Sequence, residues 1–182
     1  MPDIPTSAVD VESLVRAGLV ELFSGMDGLP HVLDYAIYVE GEADYVRKFG
    51  YKHPASGRME FRLLEIVFAD FKDTDAGCED NPVYDLNYTL TLIVSHADKR
   101  TDGTSSTDDF ARFTLTLRDR VLHSRHISRT NSETEEVETY PALRVQPLTA
   151  TGASFGPDET LNLRMAHVGT FTLAIEVTPR PA

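Results

Sequence analysis

Residues 84–94 read YDLNYTLTLIV, and every even position in that run is apolar or aromatic (Tyr84, Leu86, Tyr88, Leu90, Leu92, Val94), while Asp85, Asn87, Thr89 and Thr91 fall between them. Successive side chains of a strand point to opposite faces, so this period of two predicts a half-buried strand. At about 3.3 Å per residue it spans roughly 40 Å, longer than a small sheet needs, and its end is expected to project as an arm. A similar run closes the chain. There Leu161, Leu163, Met165, Phe171, Leu173, Ile175 and Val177 alternate with mostly polar neighbours, and Gly169 falls where a bulge or bend would sit. A further strand is predicted over residues 59–71, with a register shift across Leu63 and Leu64 read as a bulge.

Helices flank these strands. In residues 7–24, Ala8, Val11, Leu14, Val15, Leu19, Leu22 and Phe23 recur at helical spacing, with Ser7 as N-cap and Gly25 as the stop. After the polar loop KRTDGTSST (99–107), Thr107 or Ser106 is expected to cap a second helix that ends near Arg125. Asp108 and Asp109 fall in its positive first turn, and Phe110, Phe113, Leu117 and Val121 form one stripe.

Between these elements the sequence is rich in breakers. Residues 26–58, broken by Gly28, Pro30, Gly41, Gly50, Pro54 and Gly57, read as a loop-rich insertion with a possible strand over 32–40. KDTDAGCEDNP (72–82) reads as a turn-rich acidic link. Residues 126–160 read as a long polar link in which Leu143, Val145 and Leu148 make a short strand that Pro147 keeps at an edge, followed by the turn-rich TGASFGPDE (151–159). The expected architecture is one α+β domain over 1–182 with element order α-β-β-α-β-β. An antiparallel or mixed sheet carries both helices on one face.

Composition narrows the function. At 182 residues the chain suits a single domain, and its 41% hydrophobic and 25% charged content is too apolar for wholesale disorder. No apolar run approaches the about 18 residues a membrane span needs, and MPDIPTSAVD lacks the pattern of a secretory signal, so synthesis in the cytosol is expected. The single Cys78 leaves no internal disulfide. A net charge of −12 opposes tight binding to a phosphate backbone, and it suits a surface past which DNA slides without sticking.

No chemical motif emerges. His123 and His126 form an H-x-x-H pair at a helix end with no further ligand, better read as cations complementing the helix dipole than as a metal site. Asp70, Asp73, Asp75, Glu79 and Asp80 lack the glycine and closing glutamate of a calcium loop. Gly152 and Gly156 form no phosphate cradle, no G-x-S-x-G elbow is present, and acidic surroundings raise rather than lower the thiol pKa expected of Cys78. Catalytic residues, cofactor and metal are therefore all expected to be none.

Charge is patterned nonetheless. The second helix bears Arg112, Arg118, Arg120 and Arg125, whereas Asp73, Asp75, Glu79 and Asp80 gather in one polar segment and Glu133, Glu135, Glu136 and Glu138 in another. A basic face and acidic loops on one chain are what a head-to-tail contact between copies would use, and such contacts close into rings.

The stretches SAVDVESLVRAGLVELF, VYDLNYTLTLIVSHADKR, STDDFARFTLTLRDRVL and LRMAHVGTFTLAIEV resemble, in order and pattern, the tail terminator and neck (head-tail completion) proteins of long-tailed bacteriophages. The resemblance implies a virion protein made in the host cytoplasm. It forms a homo-oligomeric ring, commonly a hexamer, that caps the tail tube and joins it to neck or connector proteins while DNA passes through. The acidic segments would then line or rim the bore, and the four arginines would face the neighbouring subunit. The segments 26–58 and 126–160 depart from smaller members of that group. Another virion component, such as a tube or baseplate protein, has a similar sheet architecture. A different class of function is a small soluble α+β enzyme or ligand-binding domain with a pocket between helices and sheet, using Tyr84, Tyr88 or His96.

Overall fold

The structure, a computed structural model, describes residues 4–5, 7–38, 41–78, 81–98, 100–158 and 163–178. In chain order these form α1 (Ala8–Phe23), β1 (His31–Leu33), α2 (Glu42–Phe49), β2 (Gly50–Lys52), β3 (Met59–Cys78), β4 (Asn81–Ser95), α3 (Ser106–His123), β5 (His126–Thr130), β6 (Val137–Val145), β7 (Thr149–Asp158) and β8 (Leu163–Val177). The strands make one eight-stranded sheet in the order β1-β3-β4-β8-β6-β5, with β2 added to β3 and β7 to β8. All pairings are antiparallel except β1 with β3. The class is mixed helix and sheet, with more sheet than the sequence pattern suggests.

The even positions of β4 do face the core: Leu86, Tyr88, Leu90, Leu92 and Val94 are buried under α1 and α3 together with Phe171, Leu173, Ile175 and Val177 of β8. Thus α1 and α3 share one face of the sheet, as expected. The opposite face is covered too, because α2 packs Tyr45 and Phe49 onto Phe61, Leu63, Ile93, Ala166 and Val168. This double cover explains the consecutive apolar residues at 63–64: Leu63 faces α2 and Leu64 faces α1 and α3, with no register shift between them. The bulge lies further along, between Phe68 and Asp70.

Several expectations are overturned. Residues 26–58 hold more than loops: β1 is shorter than the expected 32–40 strand, and Gly41 and Gly50 bracket α2 rather than break up a loop. The 72–82 segment is not a link, because pairing of β3 with β4 continues to Cys78 opposite Asn81. Residues 126–160 hold three strands, and Pro147 lies between β6 and β7 instead of within one. Gly169 makes no bulge. It pairs in register with Leu92, and its missing side chain is explained by Phe110, whose ring would approach a Cβ there to 2.9 Å. The cap of α3 is Ser105, in a reciprocal capping box with Asp108. At α1, Ser7 holds the cap position without a side-chain bond, and Gly25 leaves the helix at φ 68°. Leu161 lies outside the described residues.

β8 pairs with β4 from Ser95 opposite Ala166 to Tyr84 opposite Val177. Beyond Val177 the β3–β4 hairpin runs on with no third strand among the described residues, so the projecting arm is a hairpin, not a strand end. At the other end of the sheet the β7–β8 hairpin overhangs Ser95. The two overhangs leave in opposite directions.

Candidate functional site

At the end of the sheet where β3 starts and β4 stops, four ionised side chains are packed out of water. Glu60 and Arg62 come from β3, Asp109 from the first turn of α3, and Arg100 from the loop between β4 and α3, each less than a tenth exposed. Period-two alternation places Glu60 and Arg62 on the face α3 covers, where Leu64 and Ile66 continue the row. Arg100 donates to Glu60 at 2.6 Å through Nη2 and 3.1 Å through Nε, and its Nη1 lies 2.8 Å from Asp109. Arg62 donates to Asp109 at 2.6 Å and to the Gly28 carbonyl at 3.1 Å, with Glu60 at 3.5 Å. Its guanidinium stacks between the rings of Tyr51 (5.3 Å) and Phe113 (5.6 Å). Burial pushes Glu60 upward, but hydrogen bonds from Arg100 and Ser56 outweigh it and hold the carboxyl below its ordinary range. Arg100 is destabilised by burial, yet its bonds to Glu60 and Asp109 hold it above its ordinary value. The Tyr51 hydroxyl, where burial prevails over the pull of Arg62, is pushed up to about 12.

His53, Glu60 and Asp109 bring three ligand-type atoms within 4.8 Å of one another. Their carboxylates already bind two guanidiniums that stay charged at any working pH, and a cation there would meet both. The cluster is an ion-pair network that ties β3, α3 and two loops together. It offers no group free to act on a substrate.

A second lock stands beside it. His167 of β8 is stacked between Phe110 of α3 (5.4 Å) and Phe155 of β7 (4.3 Å), and its Nε2 lies 3.0 Å from the Ser106 hydroxyl. Because that hydroxyl donates to the Ala97 carbonyl at 3.1 Å, its role toward His167 is that of acceptor, and it is not an activated nucleophile. Burial, then nearby His96, keeps the imidazole below its ordinary pKa.

The opposite face holds a contrasting carboxylate. Glu65 is 5% exposed and, among the described residues, accepts only a 3.4 Å bond from the Ile37 amide. With burial dominant, its pKa is pushed up to about 7.

Chemistry of a different kind occupies the arm end. A groove of about 620 Å³ lies between α1 and the base of the β3–β4 hairpin, lined by Val9, Phe68, Phe71, Tyr84 and Leu86 with Glu12, Arg16 and Asp73 around them. Val9 on α1 is 73% and Phe71 on β3 65% exposed, so apolar surface is concentrated where the helix meets the sheet edge. Among the described residues, the outer edge of β3 from 67 to 73 pairs with no strand.

The sequence-predicted site residues divide as follows. Asp73 is exposed on β3 opposite Tyr84, Asp75 lies on β3 in the arm, and Glu79 and Asp80 fall outside the described residues. Glu133, Glu135 and Glu136 form the exposed turn between β5 and β6. Glu138 begins β6, where bonds from Asn131 and Tyr140 hold it below its ordinary range. β6 pairs with β8 only through residues 143–145 and runs on past Val177, so this turn leaves the sheet at the same end as the β3–β4 arm. The two acidic segments are thus directed to one end. Of the four arginines, Arg112 binds Asp109 and Asp27, Arg120 donates to the Leu22 and Ser24 carbonyls at the end of α1, and Arg118, beside Asp119, and Arg125 are exposed. His123 bonds the Asp119 carbonyl. Tyr88 is fully buried, with its hydroxyl 3.4 Å from Glu12. Tyr84 and His96 stand at opposite ends of β4, about 40 Å apart, so no single pocket joins them.

Sequence reasoning missed the ionic cluster and the groove. The signal for the first was charged residues at Glu60 and Arg62 in phase with the buried Leu64 and Ile66. For the second it was Phe68 and Phe71 running into a segment read as a turn. No protein-family model matches the chain, and no curated protein matches its sequence.

Proposed function

We propose that this chain is a structural virion protein of a long-tailed bacteriophage, a tail terminator or neck protein, which assembles with its own copies into a ring. The observation that carries this reading is the overhang of the β3–β4 hairpin. The paired strands run past β8 among the described residues, and just before they do, β3 carries an unpaired outer edge and the exposed Phe68 and Phe71 beside an apolar groove. A lone domain gains nothing from such a surface and risks aggregation by it, whereas an assembling one uses it as a contact. The acidic segments leave at that same end, so a ring with this end inward presents negative charge to its bore. DNA then passes by repulsion instead of being gripped.

Negative-stain imaging and light scattering of the purified protein, alone and mixed with tail tubes, test the reading. The expected result is a closed ring, or one that forms on the tube end. A monomer indifferent to tubes defeats it. The groove also favours a second reading, an apolar ligand held between α1 and the sheet. Its lining offers few polar groups to orient a ligand, and saturable uptake of an apolar fluorophore by a persistent monomer would select it.

A further inference from the structure

Among the unpaired strand edges of the described residues, two lie on opposite sides of the sheet. One is β3 from 67 to 73. The other is β7, which pairs with β8 on its inner side and with no strand among the described residues on its outer side. We propose that these edges are the two halves of one contact, with β7 of each copy adding as a strand to the outer edge of β3 in the next. The proposal rests on the ring reading above and names the surfaces that make it.

Direction and sidedness fit, and the β7 edge is unguarded. β3, β4, β8 and β7 alternate in direction, so copies in the same orientation bring β7 against the next β3 as an antiparallel pair, the more stable kind. Phe155 of β7 stands opposite His167, on the sheet face that α1 and α3 cover. Phe68 and Phe71 lie on that same face, beside the groove under α1. A joined sheet therefore sets Phe155, 54% exposed in the single chain, alongside the neighbour's exposed phenylalanines. Natural edges are usually guarded by charge. Residues 149–157 of β7 carry none, whereas the open stretch of β3 carries Asp70, Lys72 and Asp73, of which Asp70 is engaged within the sheet, accepting from Asn87 at 2.6 Å.

The contact is heterologous and stepped. Ser154 stands level with Leu63 across the sheet, about seven residues short of the middle of the open β3 edge, or roughly 20–25 Å. Each copy is displaced along the strands relative to the last. Closure then requires strands inclined to the ring axis, as in closed barrels, and without that inclination the same contact builds a filament.

Paired cysteines test this in the full chain. With Cys78→Ser as background, Lys72→Cys and Ser154→Cys are introduced singly and together; both side chains are exposed and share the sheet face away from α1 and α3. A short thiol-to-thiol cross-linker should give a ladder of dimers, trimers and larger products with the double variant. An equal mixture of the singles should stop at dimers, and neither single variant alone should give product. Native mass from light scattering, compared with the parent chain, shows whether the variants fold and assemble. Dimers from Lys72→Cys alone mean two-fold pairing of β3 with β3 and overturn the proposal. Rings that yield no ladder overturn this contact while leaving the ring reading standing. Monomers overturn both. Open filaments that yield the ladder keep the contact and remove the ring.

Discussion

The two ends of the sheet handle exposed chemistry in opposite ways. Where β3 begins, Glu60, Arg62, Arg100 and Asp109 carry full charges, yet they are sealed from water beneath aromatic rings. Further along β3, where its outer edge is unpaired among the described residues, Phe68 and Phe71 are apolar yet face solvent. Burial of charge is tolerated only because each ion meets a partner of opposite sign at hydrogen-bonding distance, while exposure of a phenylalanine is cheap for a monomer and useful for a contact. The first end is built to hold the fold together. The second, on the proposal above, is the surface a neighbouring copy covers.

The largest effect should follow from breaking the sealed end. Asp109→Asn keeps the shape of the side chain but leaves Arg62 and Arg100 facing each other across a neutral amide, which should cost about 3–5 kcal/mol in urea unfolding. For a chain of this length that lowers Tm by roughly 6–20 °C. A double-mutant cycle of Glu60→Gln with Arg100→Gln should show strong coupling, the double variant losing clearly less than the two singles added. Additive losses would mean that the pair does not act as a unit.

Glu65 sharpens the contrast from within one strand. It sits five residues from Glu60, is equally buried, and lacks the arginines. Its pKa is raised from 4.5 to about 7, so the folded chain binds the proton more tightly than the unfolded one. The stability this group permits is full below pH 4.5 and is lost as pH rises through 7, a difference of about 3 kcal/mol by pH 8. Glu65→Gln should therefore stabilise the protein at pH 8 by up to about that amount and change little at pH 4. An equal effect at both values would show that Glu65 does not titrate in the folded chain.

These carboxylates also mark what the sequence could disclose. The long strands were legible because period-two alternation survives over many residues, as from Tyr84 to Val94. Both flanking helices were legible from their stripes. What escaped was every element whose pattern is set by a distant partner. α2 spans eight residues between glycines and has meaning only against Phe61 and Leu63 on the far face. β7 reads as a turn because Gly152 and Gly156 lie within it, and it becomes a strand only when β8 pairs with it. The arginines of α3 looked like one basic face, but Arg112 and Arg120 are spent on Asp109 and on the carbonyls that end α1, targets brought near only by the fold.

Gly169 ranks next in expected effect. Its Cβ position lies 2.9 Å from the Phe110 ring and 3.1 Å from that of Phe171. Gly169→Ala should cost about 1–3 kcal/mol, because the ring of Phe110 must leave its stack with His167 to make room. The pairing Phe110→Leu with Gly169→Ala should recover part of that loss. Failure to recover any would place the strain in the backbone of β8 instead of in the ring.

The smallest effect on stability should come from the open end, and it decides what that end is for. Phe71→Ser removes an apolar side chain that is 65% exposed, so unfolding free energy should change by less than about 0.5 kcal/mol. Association should nonetheless weaken strongly, because Phe71 stands where a neighbour's Phe155 would pack. Asp109→Asn should do the reverse, lowering stability while the folded fraction still assembles. If Phe71→Ser instead destabilises the monomer as much as a core truncation does, by about 3 kcal/mol or more, the groove is part of the fold's own packing. The two ends would then differ in chemistry but not in purpose.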